Sequence, residues 1–149
     1  MRFICDEQLG RLARWLRLQG YDTLFACPFP DPTLIQLAQS EGRIVLTRDR
    51  RLPAKTIWNQ VLVLEARDYA KQLVELRKKL RLSRARPFSR CLDCNELIQE
   101  SRKEEVRGRV PEQVFHSYGR FFTCPKCGKI FWRGSHVKAS MERLRRLAA

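Results

Sequence analysis

Two sets of side chains in this sequence have the type and spacing to do chemistry. The first is sulfur. Cys91 and Cys94 stand in CLDC, and Cys124 and Cys127 stand in CPKCG. Two Cys-x-x-Cys turns supply four thiolates, the donor set of a tetrahedral structural zinc site. The second copy also has the Pro and Gly of a tight metal-binding turn. A four-thiolate site has no open position, so such a zinc folds its module and takes no part in a reaction. Free buried thiols or a redox pair are the competing explanations. The second set is acidic and dispersed. Asp6, Asp31 and Asp49 each follow a short apolar run with the look of a strand. Close carboxylates repel and usually coexist around a cation, and their hard oxygens suit magnesium or manganese. Such an ion polarises a phosphodiester, activates water and stabilises the leaving oxygen. Each acid also has an ordinary explanation: Asp6 as an edge charge beside Glu7, Asp31 as a helix cap, and Asp49 as a turn acid or the partner of Arg48 or Arg50.

The elements needed to bring the acids together can be read from the pattern. RFIC before Asp6 is a short strand, and LGRLARWLRLQG follows with Leu9, Leu12, Ala13 and Leu16 at helical spacing and Gly20 as C-cap. DTLFA is a second strand, closed by the turn residues of CPFPDP. Asp31 before Pro32 has the N-cap and first-turn pairing that opens a helix reaching Gly42. RIVLT and VLVLE are the third and fourth strands, and a helix runs from about Tyr69 to Leu80. Strands alternating with helices imply crossover units and an α/β domain with a mostly parallel central sheet. All three acids then lie near one sheet edge, the carboxyl edge where open α/β sheets bind ligands. These elements occupy residues 1–86. The stretch RKKLRLSRARPFSR, 77–90, is rich in Lys and Arg without an acid, and is the expected linker. Residues 87–149 hold the cysteines and a terminal helix with a basic side. The 29 residues between Cys94 and Cys124 (95–123) have room for a hairpin between the two metal-binding turns.

Composition narrows the partners. The 149 residues carry 30 Lys and Arg against 16 Asp and Glu, a formal net charge of +14, with a pI near 10.2. Such a field attracts polyanions, with nucleic acid first and an acidic membrane surface second. No apolar run approaches the roughly 20 residues that cross a bilayer, and the start MRFICDEQLG turns acidic where a signal peptide is apolar, so a cytoplasmic protein is expected. Arg11, Arg14 and Arg17 recur every three residues on the first helix with Trp15 among them, as a phosphate-facing row or a solvated face. Phe121, Phe122, Phe131 and Trp132 flank the second cysteine turn, as core of the metal module rather than a stacking platform. His116 and His136 are surface or packing histidines rather than ligands.

Four stretches, CDEQLGRLARWLRLQGYDT, TRDR, SRKEEVRGRVPE and CPKCGKIFWRGSH, together resemble the Mut-seven C-terminal ribonuclease family, a branch of the PIN-like nucleases with an appended zinc ribbon. The resemblance covers nearly the whole chain and keeps the order of the motifs. It implies a PIN-like α/β fold, a small zinc ribbon, a C-terminal helix and metal-dependent endoribonuclease activity. By position, the first-strand acid of that family falls on Asp6, its Thr-x-Asp on Thr47 and Asp49, and its intervening acid on Asp31. The family often doubles that intervening acid; here Pro30 and Pro32 flank it. For a fourth carboxylate, Glu7 and Asp68 are the candidates. On this reading Arg48 and Arg50 offset the acids or meet phosphate, and Arg11, Arg14 and Arg17 hold RNA. A non-catalytic RNA-binding module, an accessory to ribosome or transfer RNA, uses the same basic charge and treats the acids as structural. A phosphoryl-transfer enzyme acting on small phosphates lacks its Gly-rich loop or Walker-type lysine here. The sequence is silent on a protein partner.

Overall fold

The computed structural model of the chain describes residues 1–25, 30–83 and 85–148. Ala26, Cys27 and the turn residues up to Phe29 lie outside the described residues, as do Arg84 of the basic stretch and Ala149. The chain divides into two compact units, Met1–Asn95 and Glu96–Ala149. Among the described residues no helix is long and apolar enough to cross a membrane.

The first unit alternates strand and helix: β1 (Arg2–Cys5), a 3-10 turn at Glu7–Leu9 running into α1 (Gly10–Leu18), β2 (Asp22–Phe25), α2 (Asp31–Glu41), β3 (Ile44–Thr47), a 3-10 turn at Leu52–Lys55, β4 (Val61–Val63) and α3 (Tyr69–Lys79). The sheet has the order β2-β1-β3-β4, and every pair is parallel, with Cys5 opposite both Phe25 and Leu46 and Thr47 opposite Val63. A parallel sheet needs cover on both faces. Ile4 and Val45 pack with Leu34 and Ala38 of α2 and with Leu52. Their neighbours Phe3 and Leu46, on the opposite face by strand alternation, are also fully buried, as are Leu12 and Leu16 of α1 and Leu73 and Leu76 of α3. Gly42 ends α2 in the left-handed conformation that its missing Cβ permits (φ 63°).

The basic stretch does not run free of this unit. Tyr21 Oη donates to Ser83 O (2.8 Å) and Phe88 N to Leu18 O (2.9 Å). The chain passes so close to Gly20 (φ 94°) that a Cβ there would meet Arg86 O at 2.0 Å. Asn95 then returns to the sheet, its side-chain oxygen accepting from Thr23 N and its amide donating to Asp22.

The second unit is smaller. β5 (Gln99–Ser101), β6 (Phe121–Thr123) and β7 (Ile130–Phe131) form an antiparallel sheet in that order. Instead of a simple hairpin, the expected gap holds β5, two short helices, α4 (Lys103–Val106) and α5 (Glu112–Ser117), and β6. Val106 and Phe115 from those helices pack on Phe121, with Val110, Val114, Tyr118, Ile130 and Trp132 around them, so the insertion supplies the core that a bare hairpin lacks. α6 (Ser135–Ala148) closes the chain.

Candidate active site and metal-binding cysteines

The order β2-β1-β3-β4 places a topological switch between β1 and β3, because the chain leaves β1 toward β2 on one side and β3 toward β4 on the other. Crevices at such points, outside the carboxyl ends of the strands, are where open α/β sheets hold ligands. Asp6 follows β1 directly and Asp49 lies two residues past β3, so these two acids flank the switch. Thr47, fully buried at the end of β3, ties them together. Its hydroxyl donates to Asp6 Oδ2 and accepts from Asp49 N (2.9 Å). Asp6 Oδ1 accepts from Gln8 N (3.1 Å), which starts the 3-10 turn, and Asp49 Oδ1 accepts from Arg51 N (2.8 Å). Both carboxylates are thus fixed at one oxygen by a local turn.

Asp31 follows β2 in the chain, at the start of α2. Pro30 occupies the N-cap position of α2 and Asp31 is its first residue, with no side-chain cap bond, so the expected capping role is corrected. The carboxylate instead faces Lys55. The ammonium of Lys55 lies 3.7 Å from Asp31 Oδ2 and 3.7 Å from Asp49 Oδ2. Lys55 ends the 3-10 turn that Leu52 anchors in the core. Asp49 therefore has Lys55 for its ionic partner, not Arg48 or Arg50. Sequence reasoning missed this lysine; its distance from the acids along the chain gave no signal.

The opposite edge of the sheet is electrostatically closed. Arg43, 5% exposed, donates to Asp22 Oδ1 (2.8 Å), to Glu41 and to Phe3 O. Burial alone would raise the Asp22 carboxyl, but the hydrogen bonds from Arg43 and Asn95 and the charges of Arg43 and Arg90 outweigh it and hold it below the usual carboxylate value. At the carboxyl edge, by contrast, Asp31, Asp49 and Lys55 are all about half exposed. The charges at the carboxyl edge are thus open to solvent, whereas those at the opposite edge are largely buried and paired.

The arginines divide. Arg17 is 6% exposed and donates to the carbonyls of Thr23, Leu92 and Asp93, so it is a structural strut and leaves the expected RNA-facing row. Arg14 pairs with Asp93, and Arg11 lies over the Tyr69 ring (4.6 Å to the centroid), which itself stacks on Trp15. Arg50 pairs with Glu65, two residues past β4, which puts a further carboxylate at the same sheet edge that sequence reasoning overlooked. Arg48 Nε is buried without a hydrogen-bond partner. Asp68 caps α3, its Oδ1 accepting from Ala70 N and Lys71 N, and Glu7 is exposed in the first 3-10 turn.

The cysteines converge. The sulfur atoms of Cys91, Cys94, Cys124 and Cys127 all lie within 4.8 Å of one another. Sulfurs about 2.3 Å from a tetrahedral zinc stand about 3.8 Å apart, so the quartet fits that metal. Both turns have one design. Cys94 N points to Cys91 Sγ (3.4 Å), Asn95 N donates to Cys91 O (2.9 Å), and Gly128 N donates to Cys124 O (2.9 Å). Asn95 (φ 69°) and Gly128 (φ 76°) hold the same left-handed position after each Cys-x-x-Cys. Asparagine tolerates that conformation better than other side chains, so it stands in the first turn for the glycine of the second. Cys5 is different: burial pushes its thiol far up, out of reach of thiolate chemistry. The cysteines are the group of three or more metal-type side chains that the described residues bring together. The aspartates are linked through Thr47 and Lys55 instead.

Compared with known proteins, residues 1–144 match the family model described as Mut7-C RNAse domain. No curated protein and no solved structure matches the chain.

Proposed function

Because this chain belongs to the Mut7-C RNAse domain family, whose model spans residues 1–144, we propose that it is a metal-dependent ribonuclease that cuts RNA phosphodiesters endonucleolytically at Asp6, Asp31 and Asp49. The observation that carries this reading is the pair of links at the switch point: Thr47 joins Asp6 to Asp49, and Lys55 joins Asp49 to Asp31. The donor chemistry suits a hard divalent cation, and a positive charge is already accommodated between two of the three acids. Asp6, Asp31 and Asp49 would hold Mg²⁺ or Mn²⁺, which supplies Lewis acidity toward the phosphodiester when bound. The chain's own residues do the rest. Thr47 orients the Asp6 carboxylate and holds the backbone of Asp49. Lys55 neutralises Asp31 and Asp49 in the absence of an ion and is placed to meet a phosphate oxygen. Arg48, with an unpartnered buried donor beside Asp49, has hydrogen-bonding capacity that an anion would satisfy.

Zinc on Cys91, Cys94, Cys124 and Cys127 is structural. RNA is held through its phosphates by Arg11, Arg14, Arg50 and the basic stretch after α3, with little sequence readout, and the protein acts in the cytoplasm. One observation favours the rival reading as a non-catalytic RNA-binding module: Lys55 neutralises Asp31 and Asp49 without any metal, as a purely structural cluster requires.

Asp49→Asn separates the two. Asparagine keeps shape and one oxygen but loses the charge a hard cation needs. On the nuclease reading, Mn²⁺-dependent cleavage falls at least about a hundredfold while RNA affinity holds or rises. Unchanged cleavage, or wild-type protein that cleaves equally well after divalent ions are removed, sinks the assignment.

A further inference from the structure

The two cysteine turns are held by different means. The first, from Cys91 to Asn95, lies at the end of the first unit and is bonded to that unit along its length. Arg17 reaches it from the last turn of α1. The guanidinium, 6% exposed, donates through Nη1 to Leu92 O (2.8 Å) and Asp93 O (3.0 Å), while its Nε holds Thr23 O in β2 (2.8 Å). Arg90 Nη1 donates to Asn95 O (2.7 Å), and the Asn95 side chain bonds Thr23 N (2.9 Å) and Asp22 Oδ1 (2.8 Å). With Asn95 N on Cys91 O, the carbonyls of Cys91, Leu92, Asp93 and Asn95 all accept a bond. The Asp93–Cys94 peptide shows the consequence. A trans peptide aims its C=O and N–H in opposite directions. Its carbonyl is drawn to Arg17, and its N–H points at Cys91 Sγ (3.4 Å). A sulfur that accepts such a bond is stabilised as thiolate, the form that binds metal.

The second turn is local. Cys124 and Cys127 lie between β6 and β7, strands of three and two residues. Its bonds from Cys124 N to Lys129 O and from Gly128 N to Cys124 O (both 2.9 Å) close within the same hairpin, and Arg109, exposed, donates to Gly128 O (3.1 Å). A hairpin of this size is marginal by itself. We propose that Cys91 and Cys94 form a pre-built half-site, with Arg17 as its positioning residue, which captures zinc first; Cys124 and Cys127 complete the tetrahedron second. The proposal rests on the zinc reading of the four cysteines and adds the order of loading and the residue that sets it.

The test titrates the metal-free full chain with Co²⁺, whose visible spectrum reports tetrahedral thiolate ligation. Cys124→Ser with Cys127→Ser retains the first pair, and Cys91→Ser with Cys94→Ser retains the second. The first-pair protein should bind Co²⁺ at least about tenfold more tightly than the second-pair protein. Arg17→Lys keeps the charge but loses the planar fork. It should weaken Co²⁺ binding about tenfold or more in the first-pair protein and leave the second-pair protein unmoved. A residue that only stabilised the sheet would shift urea unfolding of the metal-free proteins and neither affinity. Pulse alkylation of the unmutated chain after zinc is added needs no variant: Cys91 and Cys94 should gain protection before Cys124 and Cys127. Equal affinities, a tighter second pair, or protection that is simultaneous or begins at Cys124 and Cys127 overturns the order. An unchanged first-pair affinity in Arg17→Lys removes Arg17 from it. If the unmutated chain fails to bind Co²⁺ through four thiolates, the zinc reading itself falls; four-thiolate binding with no difference between the pairs refutes the half-site alone.

Discussion

Asp6 and Asp49 follow two neighbouring strands whose register Phe3, Ile4, Val45 and Leu46, all fully buried, help to fix, and Asp31, at the start of α2, is joined to Asp49 through Lys55. The four cysteines come instead from two local turns, in a region whose second unit has Val106, Phe115 and Phe121 as its buried core cluster and strands of two or three residues. A small unit of this kind buries too little apolar surface to be secure alone and ordinarily needs a staple. The difference is one of causation. Around the acids the fold exists first and positions the carboxylates; around the cysteines a bound metal would hold the fold.

Removing the metal should therefore produce the largest effect and confine it to one region. Cys124→Ser, or chelation, should unfold the second unit, because structural zinc supplies folding free energy on the order of 10 kcal/mol. The sheet of the first unit should remain. Mass-spectrometric thiol labelling reads this directly: Cys91, Cys94 and Cys127 become reactive while buried Cys5 does not. If Cys5 labels at the same rate, the two regions are one cooperative unit and the comparison fails.

The sequence was informative in proportion to how local each determinant is. The four strands, their helices and the Cys-x-x-Cys pairs follow from periodicity and spacing within a few residues. Arg17 was misread because its helical spacing with Arg11 and Arg14 is local, whereas the carbonyls of Leu92 and Asp93 that capture it are 75 and 76 positions away. Lys55 was invisible for the same reason: nothing near it announces Asp31. The capping role of Asp68 was legible, since an acid directly before a helix is an N-cap signal. The left-handed Asn95 was legible only by analogy with Gly128.

The next largest effect tests the closed edge of the sheet. Asp22 has its carboxyl held down in the folded state, so its contribution to stability is present above the ordinary carboxylate value of about 3.9 and is lost as pH falls through the lower folded value. Asp22→Asn should cost about 2 kcal/mol at neutral pH, because it leaves buried Arg43 with Glu41 alone as a charged partner. That cost should shrink as the pH drops below about 4. Urea unfolding of both proteins across that range measures it. Glu100 and Arg120 of the second unit also pair, but both are more than half exposed, and Glu100→Gln should leave the same curves nearly unmoved. A pH-independent Asp22→Asn difference would show that the buried pair is not what distinguishes the edges.

Smaller again is Thr47→Val, which preserves the shape of a fully buried side chain and deletes the hydroxyl between Asp6 and Asp49. Asp49 N then loses its acceptor, a cost of about 1–2 kcal/mol. If the hydroxyl positions the acids for catalysis, cleavage should fall about tenfold at saturating RNA with the RNA KM unchanged. A loss of stability without a loss of rate would make Thr47 a packing residue only.

The smallest expected change carries the most information about the open edge. Lys55 touches Asp31 and Asp49 from half-exposed positions, so each pair is worth no more than about 1 kcal/mol. Lys55→Met keeps the aliphatic stem and removes the ammonium, leaving the two carboxylates without their shared counter-charge. Metal-free protein should melt slightly lower. Added Mn²⁺ should then raise the melting temperature of Lys55→Met more than that of the wild type, because the ion no longer competes with a tethered cation for the same oxygens, and its affinity should increase correspondingly in a direct titration. The second unit has no part in this, so its zinc content and the thiol reactivity of Cys127 should be identical in the two proteins. If Lys55→Met instead binds Mn²⁺ more weakly than the wild type, or not at all, the acids are a lysine-neutralised structural cluster and the contrast between a pre-built reactive site and a metal-built fold loses its first half.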